Sequence, residues 1–151
     1  MAPIINKYLE AAMLPAAVLI IVSLITVLPE PLFSAISLDI WIRILVLIIF
    51  YAVAAWTGYR SVNKWGMGIK GGALTSAIAG ATQSFVMVFV GAITGGYPPD
   101  VSSNVLALAF VAVVLGMVNA LICGIFGTIG AFIASRKTKP ESVSPTTSEN
   151  T

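Results

Sequence analysis

The chain has 151 residues, of which 58% are hydrophobic and only 9% are charged, and its mean hydropathy is +1.00. A soluble domain carries about 25% charged residues, so this composition excludes a water-exposed globular surface. The net charge is only +2, and the basic residues flank apolar stretches, which favours membrane orientation signals over a nucleic-acid-binding surface.

Four long apolar stretches without charged residues dominate the chain. Because a helix needs about 20 apolar residues to cross the hydrocarbon core, they predict an all-α, polytopic membrane protein. The predicted transmembrane domain covers residues 1–137, and its four transmembrane helices lie at about 11–29, 40–60, 71–95 and 104–135. The tail 138–151 is rich in Ser, Thr, Pro and Glu, so we expect it to be disordered.

The first span has to be distinguished from a removable signal peptide. Its apolar run, Ala11–Leu28, has 18 residues, whereas the apolar region of a signal peptide has about 7–15. Glu10 also weakens the basic start that a signal peptide requires. We therefore expect this segment to be retained as a true span.

The loops between the spans alternate in the sign of their charge. The loops after spans one and three contain Glu30, Asp39 and Asp100, whereas the middle loop and the C-terminal flank are basic. By the positive-inside rule, this pattern predicts a cell-membrane protein with both termini in the cytoplasm. The basic residues that define the inner side are Arg60, Lys64, Lys70, Arg136, Lys137 and Lys139.

Arg43 is an exception, because it lies at the outer start of span two. Asp39 precedes it by four residues, which is about one helical turn, so the two side chains are predicted to form an interfacial pair. The long aliphatic part of Arg43 suits this position. The functional alternative is that Arg43 guards the entrance to a pore.

Spans three and four carry small residues at every fourth position. Small side chains on one helix face let two backbones approach closely, so the rows predict either a tight antiparallel pair within the chain or assembly between copies. The predicted helix-packing residues are Gly72, Ser76, Gly80 and Ser84 in span three and Gly116, Ala120, Gly124 and Thr128 in span four. A second row in span four contains Gly127, Ala131 and Ser135.

The fourth apolar stretch is unusually long. It has 35 uncharged residues, Val101–Ser135, against about 20 needed to cross. Either the helix tilts or projects outward, or the first part of the stretch is an exposed capping segment. Ser102, Ser103 and Asn104 offer side-chain oxygens for an N-cap, so we expect the helix to begin there.

Two amide side chains, Gln83 and Asn119, lie within the spans. At 1.5 Å per residue, Gln83 is about 18 Å from the inner end, near the midplane, and Asn119 falls in the outer half. They form a possible intramembrane polar site. Either they make an interhelical hydrogen bond of about 1 kcal/mol that fixes helix register, or they line a permeation or substrate path.

Residues for catalysis are missing from the chain. It contains no His and a single Cys, Cys123, and no acidic or basic residue lies near the centre of a span. Without His the chain lacks the commonest general base, and a single Cys cannot form an internal disulfide. Without ionisable residues near the span centres, a proton-driven transporter and a voltage sensor are disfavoured. The glycine-rich loop 65–72 lacks the Gly-Lys-Ser/Thr ending of a phosphate loop. We expect no enzyme activity and no catalytic, cofactor-binding or metal-binding residue.

A basic loop leads directly into the Gly/Ala-rich third span, in Lys70-Gly71-Gly72-Ala73-Leu74 through Gly80. This layout resembles the uncharacterised small four-span integral membrane proteins of archaea and bacteria. The resemblance implies the four-span fold and no established activity.

Two functions fit the sequence. The favoured hypothesis is a non-catalytic helical-bundle subunit, which packs with other membrane subunits or with copies of itself in the lipid bilayer and binds no nucleic acid. The alternative is a homo-oligomeric channel or carrier for a small neutral solute, with Gln83 and Asn119 along its path.

Overall fold

The computed structural model describes residues 2–24 and 39–137, and the side chains within these ranges except those of residues 2–4, 39, 42 and 43. The helices are α1 (Ala2–Leu24), α2 (Asp39–Trp65), α3 (Ile69–Ile93), α4 (Pro99–Ser102) and α5 (Val105–Lys137). Over this part of the chain there is no strand, and α1, α2, α3 and α5 are long and apolar enough to cross a membrane. The predicted all-α class with four apolar spans is therefore confirmed.

The helix bounds differ from the predicted spans mainly at the polar ends. α1 begins at Ala2 and α2 continues to Trp65, because a helix retains its backbone hydrogen bonds after the apolar run has ended. Residues 25–29 of the first predicted span and the tail 138–151 lie outside the described residues.

A tight turn at Gly66 joins α2 to α3. Gly66 has φ +60, and its N–H donates to the carbonyl of Val62 at 3.1 Å. This left-handed conformation ends a helix at little cost only when the residue has no Cβ. Since α3 begins at Ile69, the two helices lie side by side and run in opposite directions.

The other end of α3 leads through the short helix α4 into α5. Gly95 has φ +79, and the N–H of Gly96 donates to the carbonyl of Gly91 at 2.7 Å. Oδ1 of Asn104 then accepts hydrogen bonds from the backbone N–H groups of Leu106 (3.0 Å) and Ala107 (3.3 Å). The N-cap expected within residues 102–104 is thus Asn104.

α3 is the central helix, with α1, α2 and α5 around it. Gly72 faces Ala131, Gly80 faces Cys123, and the Phe85 ring faces Gly116. The residue numbers of these contacts rise along α3 and fall along α5, so the two helices are antiparallel over their lengths. On the opposite side of α3, a core cluster joins it to α1 and α2 and contains Ala12, Ala16, Leu19 and Ala79, with Phe50, Val53 and Ile78 packed against it.

The interior of the bundle consists mainly of small residues, whereas large apolar side chains lie on the outside. Ala79, Ala131 and Ser76 are fully buried, but Phe110 is 71% exposed and Leu121 is 70% exposed. This is the reverse of a soluble domain and is typical of helices that are solvated by lipid. The four apolar helices are thus compatible with a membrane protein.

Candidate binding pocket

The predicted packing residues of α3 face their neighbours at close range. A Cβ on Gly80 would lie 2.6 Å from Sγ of Cys123, and one on Gly72 would lie 2.6 Å from Cβ of Ala131. Ser76 is buried and donates its Oγ hydrogen to the carbonyl of Ala54 on α2 at 2.9 Å. Residues of this α3 row therefore contact α5 and α2 within one chain.

The predicted row of α5 only partly faces α3. Gly116 is buried against the Phe85 ring, Ala120 and Gly124 are half-buried, and Thr128 is exposed. Positions four residues apart rotate by about 40° per step around a helix of 3.6 residues per turn, so the row turns away from α3. The contact passes instead to Gly127 and Ala131, which belong to the second row and are buried.

α2 and α5 make a backbone crossing that the sequence analysis missed. A Cβ on Gly58 would overlap the carbonyl oxygen of Gly127, and one on Gly130 would overlap that of Ala55. The signal was present, since Ala54 and Gly58 are small residues four positions apart in α2. At this crossing, α5 is held against both α2 and α3.

Asn119 and Gln83 meet at the centre of a hydrogen-bonded polar cluster. Nδ2 of Asn119 lies 2.6 Å from Oε1 of Gln83, 2.9 Å from Oγ of Ser84 and 3.0 Å from the carbonyl oxygen of Gly80. Nε2 of Gln83 donates to Oγ of Ser23 at 2.8 Å. We call Ser23, Gln83, Ser84 and Asn119 the amide cluster; it links α1, α3 and α5.

The two amides meet because of the register of α3 and α5. Counting from about Gly71 for Gln83 and from Arg136 for Asn119 placed the two amides at different depths. In the structure Gly72 is level with Ala131, so Arg136 lies about one turn beyond the level of Gly71. Ser23 was missed; its signal is a hydroxyl in the last part of an apolar run, which it shares with Thr26.

The amide cluster lines a pocket of about 440 Å³ between α2, α3 and α5. α2 contributes Phe50 and Tyr51, and α5 contributes Leu115 and Ile122. None of the described residues that line the pocket is Asp, Glu, Lys or Arg. The pocket is of the size that holds small ligands, with apolar walls and a few polar groups on one side.

The chemistry of the pocket is that of an uncharged hydrogen-bonding site. Gln83 is 7% exposed, and Cys123 is buried with its Sγ 3.8 Å from Oδ1 of Asn119. Within the described ranges, no group of three or more His, Cys, Asp or Glu is placed to hold a metal ion. The pocket offers amide and hydroxyl donors and acceptors to a neutral polar group, and no ion to balance a charged one.

Positive charge collects at one end of the bundle, at the start of α1 and α3 and the end of α2 and α5. Arg60 lies 5.4 Å from the Trp56 ring, Arg136 lies 4.3 Å from the Phe132 ring, and Nζ of Lys137 lies 5.9 Å from the Tyr59 ring. Cations over ring faces gain about 0.5–1 kcal/mol at exposed sites. The described cationic side chains at this end are Lys7, Arg60, Lys64, Lys70, Arg136 and Lys137.

The side chains of the predicted interfacial pair, Asp39 and Arg43, lie outside those that the structure describes. Asp39 is the first residue of α2, so the backbone places both residues at the end of the bundle opposite the basic cluster. The pairing itself stays a prediction.

In comparisons with known proteins, no family model, no curated protein sequence and no solved structure matches this chain.

Proposed function

We propose that this chain is a non-catalytic, multi-pass membrane protein that binds a small neutral molecule in the pocket between α2, α3 and α5. The observation that carries this proposal is an uncharged amide cluster in the wall of a cavity of about 440 Å³. The cavity has specific polar groups on one side only, as ligand pockets do.

Charge discrimination follows from the same residues. A charged ligand would have to leave water for a site whose described lining includes Gln83, Ser84 and Asn119 but no opposite charge. Burying an unpaired ion costs far more than burying a hydrogen-bonded neutral group. The site therefore favours neutral molecules, which supports the carrier half of the channel-or-carrier hypothesis.

The membrane setting is part of the proposal. Four apolar helices support it, and the basic residues at one end of the bundle favour that end facing the cytoplasm. The start of α1 and the end of α5 lie at this basic end, so we propose that both termini are cytoplasmic, in the cell membrane.

Assembly with other copies or other subunits is a separate proposal, and it requires a surface other than the one first expected. The small residues that suggested it, including Gly72, Gly80 and Gly127, contact neighbouring helices of the same chain. A row already filled within one chain is not free to pack against a second chain. We therefore give ligand binding precedence over a subunit role.

The test is thermal unfolding of the purified protein in lipid nanodiscs with a matched ligand panel. The panel contains glycerol, urea and octanol as neutral compounds, and octanoate and octylamine as charged ones. A ligand that binds only the folded state raises the melting temperature in a saturable way. We expect this from at least one neutral compound and from neither charged compound.

Two variants make the test specific to the pocket. Asn119→Leu removes the donor at the centre of the amide cluster and should abolish the saturable shift. Thr82→Val is the control, because Thr82 is exposed and its Oγ1 donates within its own helix to Ile78 at 2.9 Å. Equal shifts with neutral and charged compounds, or no shift with any compound, would contradict the proposal.

A further inference from the structure

Aromatic side chains lie at the inner end of the pocket, where Tyr51 is part of the lining. The rings of Tyr51 and Phe126 stack with centroids 4.4 Å apart and planes 14° apart. Beyond this stack, α2 and α5 meet backbone to backbone at Gly58 and Gly127. An aromatic stack and a backbone crossing therefore lie between the pocket and the basic end.

The outer end of the pocket is covered by Tyr97. Its ring lies so close to the α3 backbone that a Cβ on Gly91 would come within 2.9 Å of Cε2. Tyr97 also packs against the core cluster of Val88, Leu108 and Ala112. Because an aromatic ring lines the pocket at each end, we expect access from the side of the bundle rather than along its axis.

The remaining opening faces sideways, between α2 and α5. Leu47, Leu115 and Val118 line the pocket and are 51%, 44% and 50% exposed. Val118 lies about 20 Å along α5 from its first residue, at 1.5 Å per residue. The opening is therefore at the depth of the hydrocarbon core, where the surrounding medium is lipid and not water.

The hydrogen-bonding capacity of the amide cluster matches a single hydroxyl group. Among the residues that the structure describes, Oδ1 of Asn119 accepts only the weak, 3.8 Å contact from Cys123. Nε2 of Gln83 carries two hydrogens, and among the described residues one acceptor, Ser23, is within hydrogen-bond distance. One acceptor and one donor are the complement of an alcohol, which donates one hydrogen bond and accepts another.

We infer that the pocket takes up, sideways from the bilayer, a neutral amphiphile with one hydroxyl head and a hydrocarbon body. The head bonds Gln83 and Asn119, and the body lies against Phe50 and Ile122. This inference rests on the proposed function and narrows its ligand to a membrane-dissolved alcohol. A water-soluble polyol is the competing class, because it would have to enter through an end covered by Tyr97 or Tyr51.

The experiment uses photolabelling of the full chain in phosphatidylcholine nanodiscs. The probe is an octanol analogue with a diazirine in its chain, and the control probe has the same chain and diazirine but no hydroxyl. After irradiation, peptide mass spectrometry maps the labelled residues. We expect the alcohol probe to label the α5 segment around Leu115–Ile122 saturably and octanol to compete, whereas the alkane labels lipid-facing residues without saturation.

Variants then test the head and the opening separately. Gln83→Leu removes the Nε2 donor that bonds the hydroxyl head and should weaken saturable labelling about tenfold, which corresponds to about 1.4 kcal/mol. Val118→Trp narrows the rim without touching the amide cluster and should also abolish saturable labelling, so the inference remains testable if Gln83→Leu does not fold. Thr82→Val should leave labelling unchanged.

The outcomes separate this inference from the proposed function. Equal, unsaturable labelling by the alcohol and the alkane, together with stabilisation by glycerol or urea, would overturn the lipid-side alcohol and leave neutral-ligand binding standing. If labelling is unsaturable and no neutral compound raises the melting temperature, both the inferred alcohol binding and the proposed neutral-ligand binding are overturned. Unchanged saturable labelling in Val118→Trp would overturn sideways entry.

Discussion

At the scale of single residues, the amide cluster shows how one buried donor can organise several helices. Nδ2 of Asn119 lies within hydrogen-bond distance of three acceptors on α3, and Gln83 passes the connection to Ser23 on α1. Such bonds help to fix the register of apolar helices. The same residues also give the pocket its polar side, so a structural role and a binding role coincide.

Replacing Asn119 by Leu tests the structural role alone. The variant keeps the branched shape of the side chain but removes every hydrogen bond that Nδ2 donates, so we expect a loss of about 1 kcal/mol in the free energy of unfolding. The measurement is a denaturing-detergent titration in mixed micelles. Thr82→Val, which lies on the exposed side of α3, should change it by less than about 0.5 kcal/mol.

Combining Asn119→Leu with Gln83→Leu extends this test. Because the two side chains share a hydrogen bond of 2.6 Å, their effects on the free energy of unfolding should be less than additive. Strictly additive losses would show that the two amides stabilise the bundle independently, contrary to the geometry.

At the scale of helices, close packing is decided by which small residues face a backbone. The sequence row Gly116, Ala120, Gly124 and Thr128 begins on the contact face and leaves it, because a four-residue repeat does not match 3.6 residues per turn. The position of a glycine in the row therefore did not predict how closely it packs against a neighbouring helix. Among the glycines of α5, Gly127 and Gly130, whose neighbours are backbone and Ser76, are the most restricted.

Alanine substitutions at Gly127 and Gly124 compare two glycines of the same helix. A Cβ on Gly127 would overlap Cβ of Ser76, whereas one on Gly124 would make an ordinary 3.6 Å contact with Cβ of Ala77. We expect Gly127→Ala to lower the free energy of unfolding by about 1–3 kcal/mol. Gly124→Ala should be neutral or stabilising by about 0.4–1 kcal/mol. Equal effects in a denaturing-detergent titration would disprove the close approach of α3 and α5.

In the turn between α2 and α3, alanine substitutions at Gly66 and Gly68 test backbone conformation alone, because neither new side chain would clash. Neither Gly66 nor Gly68 has a neighbour within 4 Å of a Cβ, but Gly66 has φ +60 and Gly68 has φ −68. We expect Gly66→Ala to cost about 1 kcal/mol, and Gly68→Ala to cost nothing or to stabilise slightly. Melting temperatures in nanodiscs check both, and a larger loss for Gly68→Ala would refute the left-handed turn.

At the scale of the whole molecule, the length of the apolar runs made the four helices predictable. The ends of the helices were harder to predict, because they extend into polar flanks. The two amides were identifiable as unusual within apolar runs. Their meeting depends on the register of α3 and α5, which the counts from Gly71 and Arg136 misjudged. The pocket was unpredictable from sequence, because it arises where α2 and α5 separate beyond the Tyr51–Phe126 stack.

The orientation of the bundle is the last prediction, and it follows from where the charges collect. Since the described cationic side chains lie at one end, the positive-inside rule places that end in the cytoplasm. Asn63 is exposed at the basic end and Asp100 is exposed at the other. We would introduce Asn63→Cys and Asp100→Cys singly in a Cys123→Ala background and treat cells with a membrane-impermeant maleimide. Asp100→Cys should react in intact cells, and Asn63→Cys only after permeabilisation; the reverse pattern would invert the topology, and reaction of both in intact cells would mean that α3 does not cross the membrane.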